Sequence, residues 1–124
     1  MEVGIRLESE PIRILDNTDF VPDVFTTIGG AGNGLTHPAH MIIIQNLTDA
    51  DIAISDQTSP DYPTSMKYVI AARQGIVLDC TTNKTNMGGS FCYAQGTIFS
   101  AANLPNLVGP STGSVYLSAI YAME

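Results

Sequence analysis

The chain has 124 residues, room for one hydrophobic core but not comfortably for two domains. Apolar residues make up 44% and charged residues 14%, against about 25% in ordinary globular domains, which excludes disorder by composition and suits a surface partly kept for other subunits. The net charge of −7, with only five scattered Lys and Arg, excludes nucleic-acid binding, since nothing is concentrated enough to displace phosphate counterions.

In chain order, Glu2 to Leu15 holds two β-type runs separated by Glu8-Ser9-Glu10-Pro11, and Pro11 bars a central strand there. Residues 1–20 therefore read as an extended N-terminal arm or an edge strand. Asp16-Asn17-Thr18-Asp19 is a turn by composition. Asp23 to Ile28 is a strand, followed by the glycine-rich loop Gly29 to Gly34, read as mobile. Met41 to Asn46 is a strand apolar on both faces. After the turn Asn46 to Ala50, Asp51 to Asp56 alternates, with Ile52 and Ile54 inward and Ala53 and Ser55 outward. These two runs are predicted to form a hairpin. Gln57 to Ser65 is a proline-containing loop. Met66 to Ala71 and Ile76 to Cys80 are strands about the turn Arg73-Gln74-Gly75. Short β segments follow at Ser90 to Tyr93 and Thr97 to Ser100. Ala101 to Gly113 reads as irregular, and Ser114 to Met123 as a last strand apolar on both faces.

About eight short antiparallel strands at regular spacing imply an all-β fold, a single β-sandwich over residues 1–124 of jelly-roll type. The Met41 and Ser114 strands do not alternate, so cover is expected on both of their faces, from a loop or from another subunit. The acids are uneven. Ten of the 12 lie at or before Asp61, where they leave −8, and the remainder of the chain is +1. The longest apolar run, Met41 to Ile44, is far too short to span a membrane, so no membrane partner is expected. The mixed opening Met1 to Arg6 does not look like a secretion leader, and Cys80 and Cys92 are expected as free thiols.

No catalytic, cofactor-binding or metal-binding residue is assigned. His37 and His40 are three apart, but zinc needs three or four ligands, and the cysteines match no finger spacing. The Gly29 to Gly34 loop has Leu35 where the dinucleotide pattern needs glycine, and a β run follows where a helix is required. Asp49 with Asp51, or Asp56 with Asp61, could lend oxygens to a cation but fit no calcium loop. There is no Gly-x-Ser-x-Gly elbow, and Cys80 falls on the apolar face of a strand, so enzymatic activity is not expected. For a receptor- or sugar-binding module, Tyr62 and Tyr93 would be the exposed anchors.

Several segments resemble a known family. Asn46-Leu47-Thr48-Asp49-Ala50-Asp51-Ile52-Ala53-Ile54-Ser55-Asp56 is similar to the Asn-x-Thr-Asp turn and following strand of small tailed-phage virion proteins. Leu78-Asp79-Cys80-Thr81-Thr82-Asn83-Lys84 is similar to their Leu-Asp-Leu-x-x-Asn-Lys segment. Gln95-Gly96-Thr97 and Ser111-Thr112-Gly113-Ser114-Val115-Tyr116 resemble their closing motifs. The similarity spans residues 22 to 122. The chain departs from it at Asp56-Gln57-Thr58-Ser59-Pro60, which replaces a Phe-Asp-Gly turn and predicts a reshaped loop. The resemblance implies a bacteriophage virion structural protein. The expected role is capsid decoration (cement): a homotrimer bound to the outer surface of the major capsid protein shell and stabilising the head. The alternative it leaves is a neck or tail component bound to portal, neck or tail proteins. On either reading the chain resides in the virion.

Overall fold

The computed structural model describes residues 6–9, 12–79 and 93–123. Strand-forming residues broken by glycine and proline yield nine strands there: β1 (Arg6–Ser9), β2 (Arg13–Asp16), β3 (Thr26–Thr27), β4 (Ala39–Asn46), β5 (Ile52–Ser55), β6 (Tyr68–Ile70), β7 (Gln74–Asp79), β8 (Ser100–Asn103) and β9 (Ser114–Met123). One turn of 3-10 helix, Asn17–Asp19, follows β2.

β1 and β2 both pair antiparallel with β9, and the register moves by one residue between them. They act as one interrupted edge strand. Residues 6–9 and 13–16 thus take the edge-strand form, not the form of a free arm. Residues 1–5 and 10–11 lie outside the described residues. With β1 and β2 counted as one, the strands nest as four antiparallel pairs: first with last (β9), β3 with β8, β4 with β7, and β5 with β6. A long hairpin rolled in this way into two sheets is a jelly roll. The first sheet runs β1-β9-β4-β7, with β2 also on β9, and the second runs β3-β8-β5-β6.

Two expectations from the sequence are corrected by this pairing. The Met41 and Asp51 runs do not form a hairpin: β4 pairs with β7 and β9, and β5 with β6 and β8. The turn between them carries the chain from one sheet to the other. Ile42 and Ile44 then face the opposing layer that holds Ile52 and Ile54, and all four are fully buried. The eighth strand is also not Thr97 to Ser100 but Ser100–Asn103, inside a stretch read as irregular. Alanine is a weak strand former. Ala101 and Ala102 are nevertheless fully buried, because β8 lies mid-sheet between β3 and β5.

The expected double cover falls on different strands. β4 and β9 bury their inner residues, among them Ile44, Val115 and Leu117, while Met41, Ile43, Tyr116 and Ile120 on the outer face are only half-buried. The strands buried on both faces are β5 and β8. Ala53 and Ser55, read as outward, are fully buried. The chain between β5 and β6 explains this. It leaves Ser55, which pairs with Ser100, and reaches Tyr62, whose hydroxyl accepts a hydrogen bond from Asn103 Nδ2 at the other end of β8. The Tyr62 ring packs 6.0 Å from that of Phe25 beside β3. The segment therefore runs lengthwise over the outer face of the second sheet. Its own ties include Ser65 Oγ donating to Gln57 Oε1 and the Asp61 amide donating to Ser65 Oγ.

Candidate functional site

Two surfaces stand out, a loop end and a sheet face. The strand registers gather four connections, residues 17–25, 47–51, 71–73 and 104–113, at one end of the jelly roll. Three side chains knit them. Asn46, fully buried where β4 ends, donates Nδ2 to the carbonyls of Ala50, Ile70 and Ala71 at 2.9, 3.0 and 3.1 Å. Its Oδ1 accepts from the Thr48 amide and hydroxyl. Asn103 accepts from the Asp23 amide at 2.8 Å and donates to the carbonyls of Leu104 and Leu107, both at 3.0 Å. Asp49 accepts from the amides of Ser111 and Thr112, at 2.9 and 3.2 Å, and from the Ser111 hydroxyl. Asn17 adds a bond from its amide to the Gly113 carbonyl, and Asp51 accepts from the Ala72 amide. Loops fixed in this way present their tips with little conformational entropy left to lose on binding.

The Ser111 hydroxyl, then the Ser111 and Thr112 amides, lower the Asp49 carboxyl from its ordinary 3.8 to about 2. A depressed folded-state value means stability that is fully present above the unfolded value of 3.8 and lost as pH falls toward 2. Asp49→Asn should therefore melt below the parent at neutral pH, and the two melting temperatures should converge as the pH approaches 2. A gap that persists unchanged to that pH would show that the charge is not what holds the 104–113 loop.

The second surface is the outer face of the first sheet. Across the strands it aligns Ile14, Tyr116, Gln45 and Gly75 in one row and Ser118, Ile43 and Val77 in the next. Ile120 and Met41 follow, with Asp79 at the corner. Ile14 is 47% and Val77 58% exposed. The middle of this face carries no charged side chain in a chain of net −7.

The residues weighed singly from the sequence are mostly structural. His37 lies exposed against Tyr121, ring centroids 5.0 Å apart, whereas His40 is buried in β4 beside the irregularity between Ala39 and Met41. Among the described residues no three His, Cys, Asp or Glu side chains are grouped to hold a metal. The glycine-rich loop is tied down, with Arg13 donating to the carbonyls of Asn33 and Gly34. It thus presents carbonyls, not amides, to the nearest cation, the reverse of a phosphate cradle. Asp56 pairs with Lys67 at 3.0 Å. Tyr62 and Tyr93 are not the exposed anchors a sugar site would need. Tyr62 packs on Phe25, and the Tyr93 hydroxyl meets that of Tyr68 at 2.8 Å, with its ring edge-on to Phe99. Burial first, then the Tyr68 hydrogen bond, raises the Tyr93 hydroxyl far above its ordinary range. Cys80 and Cys92 lie outside the described residues. Asn103 was not singled out from the sequence, since Asn103-Leu104-Pro105-Asn106 reads as any polar turn.

No helix among the described residues is long and apolar enough to cross a membrane. No protein-family model matches the chain, and no curated protein or solved structure shows significant similarity to it.

Proposed function

We propose that this chain is a structural subunit of a bacteriophage particle, a decoration protein that assembles as a trimer on the outer surface of the capsid shell and braces it. The observation that carries the packing role is the uncharged outer face of the first sheet, where Ile14, Ile43, Val77, Tyr116 and Ile120 are left partly in water. An uncharged, largely apolar surface of this kind, broken only by Gln45 and Ser118, suits contact with another protein. For a chain of net −7, an uncharged face is also where copies can meet with least repulsion. Closed cyclic symmetry is the usual result when copies meet. The viral setting rests on the resemblance of the 46–56, 78–84 and 111–116 segments to small virion proteins.

Quantitative densitometry of purified particles tests the reading. Hundreds of copies per particle fit decoration, six or twelve place the chain in a neck or tail ring, and absence from the particle sinks the proposal. Val77→Lys tests the face itself. The side chain is already 58% exposed, so the monomer should fold as before. A desolvated lysine in the contact should shift sedimentation from trimer to monomer, a loss of about 2 kcal/mol or more per contact. An unchanged mass would remove this face from the assembly.

A further inference from the structure

The loop end has a second property that the sheet face lacks. Of the nine large aliphatic side chains exposed among the described residues, five lie there: Val21, Val24, Leu47, Leu107 and Val108, the last 89% exposed. Phe20, Val21, Pro22, Val108 and Pro110 line a shallow cavity of about 190 Å³ between two of the loops. A site of ~150 Å³ can hold a benzene ring, so this one has room for a single bulky apolar side chain. The same end is where the charge is concentrated. Asp16, Asp19, Asp23, Asp49 and Asp51 stand against Arg73 alone, which places −4 of the chain's −7 on these connections and their margin.

Apolar tips held rigid by Asn46, Asp49 and Asn103 form a preformed contact surface, and the aspartates around them select its partner. A second copy is disfavoured, because two such ends would oppose −4 to −4. We infer that the loop end docks on a different protein of the particle, one that inserts an apolar side chain into the Val21–Val108 cavity from a surface rimmed with lysine or arginine. This rests on the reading of the chain as a particle subunit. It assigns the end that meets the shell, whereas the sheet face serves contact between copies.

Shells isolated without the chain are the probe, and the purified chain is titrated onto them. Val108→Asp changes a side chain that is almost wholly in water, so the fold should be kept while binding falls at least about tenfold. Asp19→Asn keeps an acceptor for the Asp16 amide but removes a charge, and should weaken binding while flattening its salt dependence. Val69→Lys, exposed on β6 in the second sheet, should leave binding unchanged. Binding that weakens steadily from low to physiological salt supports the charge match. The inference is overturned, with the particle reading intact, if Val108→Asp binds as tightly as the parent. It is equally overturned if Val108→Asp lowers the oligomeric mass, since the occupant would then be a second copy. Failure of the parent chain to bind shells at all overturns both this inference and the decoration reading.

Discussion

Gly113→Ala should abolish or nearly abolish folding, with an expected loss of roughly 4 kcal/mol or more, the range left by a steric clash with backbone that cannot be relieved. Gly113 ends the 104–113 connection with φ +90, a conformation that side-chain-bearing residues rarely adopt. A Cβ there would sit 2.1 Å from the Leu47 carbonyl oxygen and 2.8 Å from Thr48 Cα. Both are backbone atoms of the neighbouring connection, so no rotamer change relieves the clash. The surroundings cannot shift cheaply either. The Gly113 carbonyl accepts from Asn17, Leu47 donates to the Ser114 carbonyl, and Thr48 is held by Asn46. Gly32 supplies the control. Its φ is +79, but no atom lies within 4 Å of its Cβ position. Gly32→Ala should cost only about 1 kcal/mol, the conformational term alone. Equal urea midpoints for the two variants would show that the close approach of 113 to 47–48 is absent in solution.

That approach could not be read from the chain, although Ser-Thr-Gly-Ser announces a turn. Turn chemistry and strand alternation are local, and they located most of the strands. Which turn meets which is decided by strand pairing across many residues, and the residues within a turn do not encode it. The Asn46 to Ala50 turn has the composition of a hairpin connection, yet it joins strands of different sheets, because burying Ile42 and Ile44 against the layer of Ile52 and Ile54 outweighs local pairing. Alternation along β5 likewise suggested that Ala53 and Ser55 face water. The chain through Tyr62 and Pro63 covers them instead, and cover by a remote loop leaves no mark on the covered strand. The apolar outer residues of β4 and β9 were legible as an anomaly. Intramolecular cover turned out to lie on the other sheet, which is why the outer residues of β4 and β9 stay half-buried.

The polar counterpart of that core is Asn46, and its replacement should be nearly as damaging as that of Gly113. Asn46→Ala leaves the buried Thr48 amide without its acceptor and takes the amide donor from the Ala50, Ile70 and Ala71 carbonyls. The Ala50 and Ala71 carbonyls keep the Thr48 hydroxyl and the Gln74 amide as donors, so the main loss falls on the Thr48 amide and the Ile70 carbonyl. At about 1–3 kcal/mol for each buried group left short, a combined loss of roughly 2–5 kcal/mol is expected, with the 47–51 and 71–73 connections held together only by the bond from the Ala72 amide to Asp51. Asn46→Asp separates shape from hydrogen bonding. The aspartate keeps the size and the acceptor for Thr48, but it sets a carboxylate against three carbonyl oxygens. Its folded-state pKa must rise above the unfolded value of about 3.9, so the penalty is small in acid and grows as pH rises past that value. This is the opposite sense to Asp49, whose contribution is present above 3.8 and lost in acid. Urea midpoints of Asn46→Asp at pH 4 and pH 7 should therefore diverge from the parent as the medium is made less acidic. A constant difference would mean that the side chain at 46 reaches water, and that the loop end is not built around a buried amide.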